Sequence, residues 1–175
     1  VSVVQLREKE ASSRELFELA KRVKRVTDKY DVPLIINDRL DICLAVDAAG
    51  VHLGQTDLPC SEARRILGAE KIIGVSAATP EEAAKAQSDG ADYLGVGAVF
   101  ATSTKTNTRP VTAETIRAIR SAVDIPFVVI GGVNSENISG LHGLGINGAA
   151  VISAIISQPD ITAAARKMRQ AAERL

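Results

Sequence analysis

The sequence lacks an excess of charge of either sign: 21 Lys and Arg residues balance 21 Asp and Glu residues. Without a basic surplus there is little to hold a nucleic-acid backbone or an anionic membrane, and neither is an expected partner. No apolar run approaches the roughly 20 residues that span a bilayer. No signal peptide is visible, so the cytoplasm is the default compartment. Cysteine is nearly absent. Cys43 sits in an apolar helical stretch and Cys60 at a loop-to-helix start, and without metal-type spacing the pair argues against a disulfide framework or a zinc site. The two histidines, His52 and His142, have no Ser or Cys nucleophile at a readable spacing, which speaks against a hydrolytic triad. No Gly-x-Gly-x-x-Gly or Walker loop follows a strand, so a nucleotide cofactor is unsupported.

What is present is alternation. Short apolar runs at Val3–Leu6, Leu34–Ile36, Val51–Leu53, Ile72–Val75, Tyr93–Val96, Phe127–Ile130 and Ala149–Ile152 read as parallel strands buried on both faces. Helical patterns lie between them. Leu16, Leu19, Val23 and Val26 recur at spacings of three and four, which places them on one helix face. Ser12 with Glu15 predicts a capping box, and Thr79 followed by Pro80 predicts a helix start. Thr112 and Asn134 are candidate N-caps, and a last helix is expected from Ile161 to Arg174. The 175 residues read as one α/β domain, 1–175, without a linker. Polar residues follow nearly every strand, the habit of a (β/α)₈ TIM barrel rather than an open sheet. Seven strands are found where the barrel needs eight. The expectation is an N-terminally incomplete barrel whose first βα unit lies outside this chain.

Three constellations carry chemistry. Gly131-Gly132 after the sixth strand, with Ile152 and Ser153 after the seventh, predicts a phosphate cradle of backbone N–H groups. Its alternative is a plain tight turn. Asp38 and Asp57 close adjacent strands, and two carboxylates plus phosphate oxygens suit Mg²⁺. Taken alone, Asp38 could be the N-cap of a helix over Leu40–Val46 and Asp57 a turn residue. Arg7, Lys9 and Lys105 are strand-end cations, the last in the hydroxyl-rich run Thr102-Ser103-Thr104-Lys105, suited to a polyanion. The residues therefore predict a diphosphate–metal half-site and a separate monophosphate half-site.

The runs Val4-Gln5-Leu6-Arg7-Glu8-Lys9, Ile36-Asn37-Asp38-Arg39, Gly50-Val51-His52-Leu53-Gly54-Gln55-Thr56-Asp57, Gly74-Val75-Ser76, Thr102-Ser103-Thr104-Lys105, Ile130-Gly131-Gly132 and Val151-Ile152-Ser153-Ala154-Ile155 resemble the thiamine-phosphate synthase family, in order and over nearly the whole chain. That resemblance implies a Mg²⁺-dependent transferase of thiamine biosynthesis. It condenses hydroxymethylpyrimidine diphosphate with hydroxyethylthiazole phosphate and releases pyrophosphate. It implies that Gln5 contacts the pyrimidine ring and Ser76 lies near its amino group. Arg7, Lys9, Asn37 and Lys105 would bind the diphosphate, with Arg7, Lys9 and Lys105 catalytic. Asp38 and Asp57 would hold Mg²⁺. Thr102, Thr104, Gly132, Ile152 and Ser153 would cradle the thiazole phosphate. The chain departs from the family pattern at Ala78, where a His is frequent, and at Ala98, where a Pro is frequent. A thiazole tautomerase-like paralogue and a non-catalytic phosphate-binding barrel are the rival readings; retention of Gln5, Asn37, Asp38, Asp57 and Lys105 favours the synthase. Small phosphorylated substrates are the expected partners, and nothing in the sequence opposes a homo-oligomer.

Overall fold

A computed structural model describes residues 1–101, 110–173 and Leu175. Strands and helices alternate along them, and the strands whose pairing is recorded run parallel. They fall into two compact units: Val1–Val75 with Asp89–Asp92, and Ser76–Ser88 with Tyr93–Leu175.

In the first unit β1 (Val4–Leu6), β2 (Leu34–Asn37), β3 (Gly50–Leu53) and β4 (Ile72–Ala77, whose last two residues group with the second unit) pair in sequence order. The connecting helices are α1 (Ser13–Lys29), α2 (Leu40–Ala45) and α3 (Cys60–Leu67). The expected capping box closes α1: Ser12 Oγ accepts from the Glu15 amide while the Glu15 carboxylate accepts from the Ser12 amide. Both orphan donors at that helix end are thereby satisfied. Leu34, Ile35, Ile36, Val51, Leu53 and Ile73 are fully buried with Leu16 and Ala20 of α1. The Arg64 guanidinium locks the end of the unit away from the strands' C-termini. It donates to the carbonyls of Gly68 and Lys71, both at 2.7 Å, to that of Gly90, and to the Asp92 carboxylate at 2.6 Å. Asp92 Oδ2 in turn accepts from the Ile73 amide at 2.7 Å.

In the second unit β5 (Tyr93–Gly97), β6 (Phe127–Ile130) and β7 (Gly148–Ala150) pair in order. The helices are α4 (Pro80–Ser88), α5 (Ala113–Ala122), α6 (Ser153–Ile156) and α7 (Ile161–Ala172). Thr79 and Thr112 cap α4 and α5 as expected, accepting from the Glu82 and Thr115 amides. Leu94, Val96, Ile116, Ile119, Phe127, Val129 and Ile138 form the core.

The structure departs from the sequence reading in three places. β1 and β7 are only half-buried, with Gln5 exposed. Each pairs on one side only among the described residues, so neither has the two covered faces expected of it. β7 also ends at Ala150, because Ile152 leaves the extended region and caps the four-residue α6. After Asn134 there is no α-helix, only a turn and a 3₁₀ turn at Ile138–Leu141. The glycines at 140, 143 and 145 make a longer helix costly there.

Candidate active site

The register of the first unit gathers its predicted residues at the C-terminal ends of three neighbouring strands. Leu6 stands opposite Ile36, and Asn37 opposite His52. Beyond Asn37 the Asp38 amide makes one more bond, to the His52 carbonyl at 2.9 Å. The chain then turns with Asp38 at φ 62°, a left-handed conformation that Asp tolerates better than most residues. Arg39, not Asp38, occupies the N-cap of α2, and no side chain caps that helix. The Asp38 carboxylate instead pairs with the Lys9 ammonium from the loop after β1. The structure thus brings together two residues that were assigned to different ligands.

Asp57 closes the loop after β3. Its Oδ2 accepts from the Gly54 amide at 2.6 Å, and its own amide donates to the Gly54 carbonyl at 3.3 Å. The turn role and a metal role are compatible, because a carboxylate has two oxygens and about four lone-pair positions. Gln5, Arg7 and Lys9 are exposed, while Asn37 and Asp57 are half-buried. Arg39 is committed elsewhere: it donates to Asp41 at 2.6 and 2.9 Å and to Ser13 Oγ at 2.9 Å. That hydrogen bond holds the Asp41 carboxyl below its ordinary range. His52 is buried inside β3, in keeping with a packing role.

In the second unit, Ser76 is half-buried near the end of β4. The following turn is held by Glu82, whose Oε2 accepts from the Ala78 amide at 2.8 Å. The pairing of Ile130 with Ala150 sets Gly131–Gly132 and Val151–Ser153 at the same ends of neighbouring strands. Gly131 and Gly132 have φ of 100° and 65°. A Cβ on Gly131 would stand 2.5 Å from Ala98 Cβ, and one on Gly132 only 2.4 Å from the Ala101 carbonyl oxygen. Both the dihedrals and the close backbone crossing require glycine here. The Ile130 and Gly131 carbonyls accept from the Val99 and Phe100 amides, each at 3.0 Å. Ile152 and Ser153 are exposed at the start of α6. Thr102, Thr104 and Lys105 lie outside the described residues. The sequence reading overlooked Asn137, whose side chain holds the Gly132 carbonyl; the Asn-x-x-Asn spacing of Asn134 and Asn137 just after the glycines was its signal.

Two open clefts of the second unit, about 700 and 610 Å³, are lined by residues such as His142 and Leu175, and Asn134, Gln158 and Lys167. Neither contains Gly132, Ile152 or Ser153, so cleft size does not locate the predicted chemistry. The described residues contain no group of three or more His, Cys, Asp or Glu that could hold a metal. No helix among them is long and apolar enough to cross a membrane.

The family model for thiamine monophosphate synthase matches residues 1–155. The chain belongs to that family. A thiamine-phosphate synthase from Ruminiclostridium cellulolyticum is 58% identical over 167 residues, covering 95% of this chain and 80% of the relative. The Clostridium tetani thiamine-phosphate synthase is 53% identical, again over 95% and 80%. Among solved structures, thiamine phosphate pyrophosphorylase from Pyrococcus furiosus superposes with a TM-score of 0.91 at 40% identity, covering 98% of this chain and 83% of that one. A 3-hexulose-6-phosphate synthase at 19% identity and TM-score 0.74 shares the fold alone. The thiamine monophosphate synthase match reaches both the strand ends of the first unit and the glycine turn of the second.

Proposed function

We infer that this chain is a transferase making thiamine phosphate from a pyrimidine methyl diphosphate and a thiazole ethyl monophosphate. The observation that carries the reading is the strand-end cluster of Lys9, Asp38 and Asp57, in a chain 58% identical to a synthase. The C–O bond between the pyrimidine methylene and the diphosphate breaks, and its electron pair leaves with the diphosphate. The thiazole nitrogen lone pair forms the new C–N bond. No proton is transferred and no side-chain nucleophile is needed.

Arg7, Lys9, Asn37 and Lys105 are the groups we assign to the diphosphate, where cations and N–H donors stabilise charge that grows as the bond breaks. Gln5 and Ser76 are assigned to the pyrimidine. Thr102, Thr104, Gly132, Ile152 and Ser153 are assigned to the thiazole phosphate. Asp38 and Asp57 fit a hard divalent cation: they close adjacent strands, and Asp57 keeps an oxygen beyond the one that Gly54 uses. Bound there, Mg²⁺ would supply positive charge against diphosphate oxygens. The protein's own part is positioning, for which effective concentration offers on the order of 7–11 kcal/mol.

We read 1–175 as one domain of a (β/α)₈ barrel with a further βα unit ahead of β1. The half-exposure of β1 and the 80% span of the relatives support that reading. A cytoplasmic enzyme is the matching location. The test is pyrophosphate release with both substrates present, with and without Mg²⁺. Release that needs both substrates and the metal is expected. Isomerisation of the thiazole without pyrophosphate would favour a tautomerase, and phosphate binding without turnover a non-catalytic module.

A further inference from the structure

We propose that Asn137 is a positioning residue for the phosphate turn: its side chain sets the peptide plane that follows Gly132, and so aims that backbone at the substrate's phosphate. The proposal rests on the reading above, in which Gly132 meets the thiazole monophosphate. Asn137 Nδ2 donates to the Gly132 carbonyl at 2.9 Å. Its Oδ1 accepts from the Asn134 amide at 2.9 Å. Asn134 Oδ1 answers by accepting from the amides of Glu136, at 2.9 Å, and of Asn137, at 3.1 Å. The two asparagines therefore fold the 134–137 turn onto itself and leave one donor, Nδ2, directed back at the glycines.

The consequence follows from the planarity of the peptide group. In a trans peptide the C=O and the next N–H point opposite ways. The Gly131 carbonyl is tied to the Phe100 amide, so the Gly132 N–H faces away from Phe100. The Gly132 carbonyl is tied to Asn137, so the Val133 N–H faces away from Asn137. Two successive N–H groups are thereby oriented by bonds on the opposite edge of the backbone. Glycine at φ 65° has no side chain to resist rotation about ψ, and the Asn137 bond supplies that restraint. A site whose donors are backbone amides depends on such supporting bonds for its geometry.

The test compares Asn137→Ala and Asn137→Asp with Asn147→Ala. Asn147 Oδ1 accepts from the Phe127 amide at 3.1 Å, at the opposite end of β6, so its loss reports a purely structural bond in the same unit. Asn137→Asp keeps an acceptor for the Asn134 amide but sets a carboxylate oxygen against the Gly132 carbonyl. Both Asn137 variants should raise KM for the thiazole phosphate about tenfold and leave KM for the pyrimidine diphosphate within twofold. Asn147→Ala should lower the melting temperature without separating the two KM values. Inorganic phosphate, titrated by calorimetry in the absence of any other ligand, should bind the Asn137 variants several-fold more weakly than wild type. Equal rises in both KM values, a wild-type-like Asn137→Asp, or unchanged phosphate binding would overturn the proposal. A wild-type protein that binds phosphate but releases no pyrophosphate would refute the synthase reading and still leave the phosphate titration to judge Asn137.

Discussion

Lys9 and Asp38, 29 positions apart in the chain, form an ion pair at the C-terminal ends of β1 and β2. The Lys9 side chain is 45% exposed and that of Asp38 16%, so the cation sits on the solvent side of the carboxylate. A divalent ion approaching Asp38 meets an ammonium already in place. The two residues belong to different ligands in the proposed reaction, and the contact makes them exchange partners: once diphosphate takes Lys9, the carboxylate is released to the metal.

Replacement of Lys9 by Met should therefore separate two quantities that usually move together. Mg²⁺ measured without substrate should bind as well as in wild type or a few-fold more tightly, because a competing cation is gone. KM for the pyrimidine diphosphate should rise at least tenfold, since a hydrogen bond to a charged group is worth about 1.5–3 kcal/mol. Calorimetric metal titration and steady-state kinetics read the two effects. Weaker Mg²⁺ binding in the variant would show that Lys9 supports the carboxylate rather than competing for it.

Asp57 offers a similar division between structure and chemistry. Asp57→Asn can keep a carbonyl oxygen for the Gly54 amide and should melt within about a degree or two of wild type. Asp57→Ala loses that bond, at a cost of about 0.5–2 kcal/mol by analogy with helix-cap side chains that serve backbone amides. Both should lose most Mg²⁺-dependent turnover, because either change removes a carboxylate from the metal site. Full activity of Asp57→Asn at limiting Mg²⁺ would leave Asp57 as a turn residue only.

Much of this site was readable before any coordinates. Asp38 and Asp57 follow apolar runs that become adjacent strands, and alternation alone is enough to place them on one rim. The capping boxes were legible because Ser12 and Glu15 interact over three residues, within reach of local pattern. Two things were not. The Lys9–Asp38 pair depends on the left-handed turn at Asp38, which no spacing announces. The half-exposure of β1 and β7 depends on what lies beside them, and an apolar run reads the same with a neighbour or without one. The short 3₁₀ turn after Asn134 was missed because a good N-cap was weighed above the three glycines that follow it.

Gly132→Ala should be costly for a reason independent of ligand. The φ of 65° costs an L-residue about 1–2 kcal/mol. The added methyl would also press on the Ala101 carbonyl oxygen at 2.4 Å and on Phe100 Cβ at 2.8 Å. A loss of at least roughly 2–8 °C in melting temperature is expected for a chain of this size, together with loss of phosphate binding. An unchanged melt would mean that the turn relaxes into another conformation without difficulty.

The last prediction concerns alkaline pH. Cys43 is fully buried, and its thiol lies against the Ala48 carbonyl at 3.8 Å. Burial pushes its pKa up from the ordinary 9.0 to about 11, the Lys71 ammonium opposing the shift and the Asp47 carboxylate adding to it. A thiol with a raised pKa keeps its proton in the folded chain at pH values where the unfolded chain has lost it. The stability linked to the neutral thiol is fully present below about pH 9 and is lost as pH climbs through about 11. Cys43→Ala removes that dependence. Other groups titrate in the same range, so the comparison is between the two proteins rather than against a single curve. Urea unfolding from pH 8 to 11 should show wild type losing on the order of 2 kcal/mol more than the variant. Parallel losses in the two proteins would show that the Cys43 thiolate is accommodated in the fold, through Lys71 or through water reaching the end of α2.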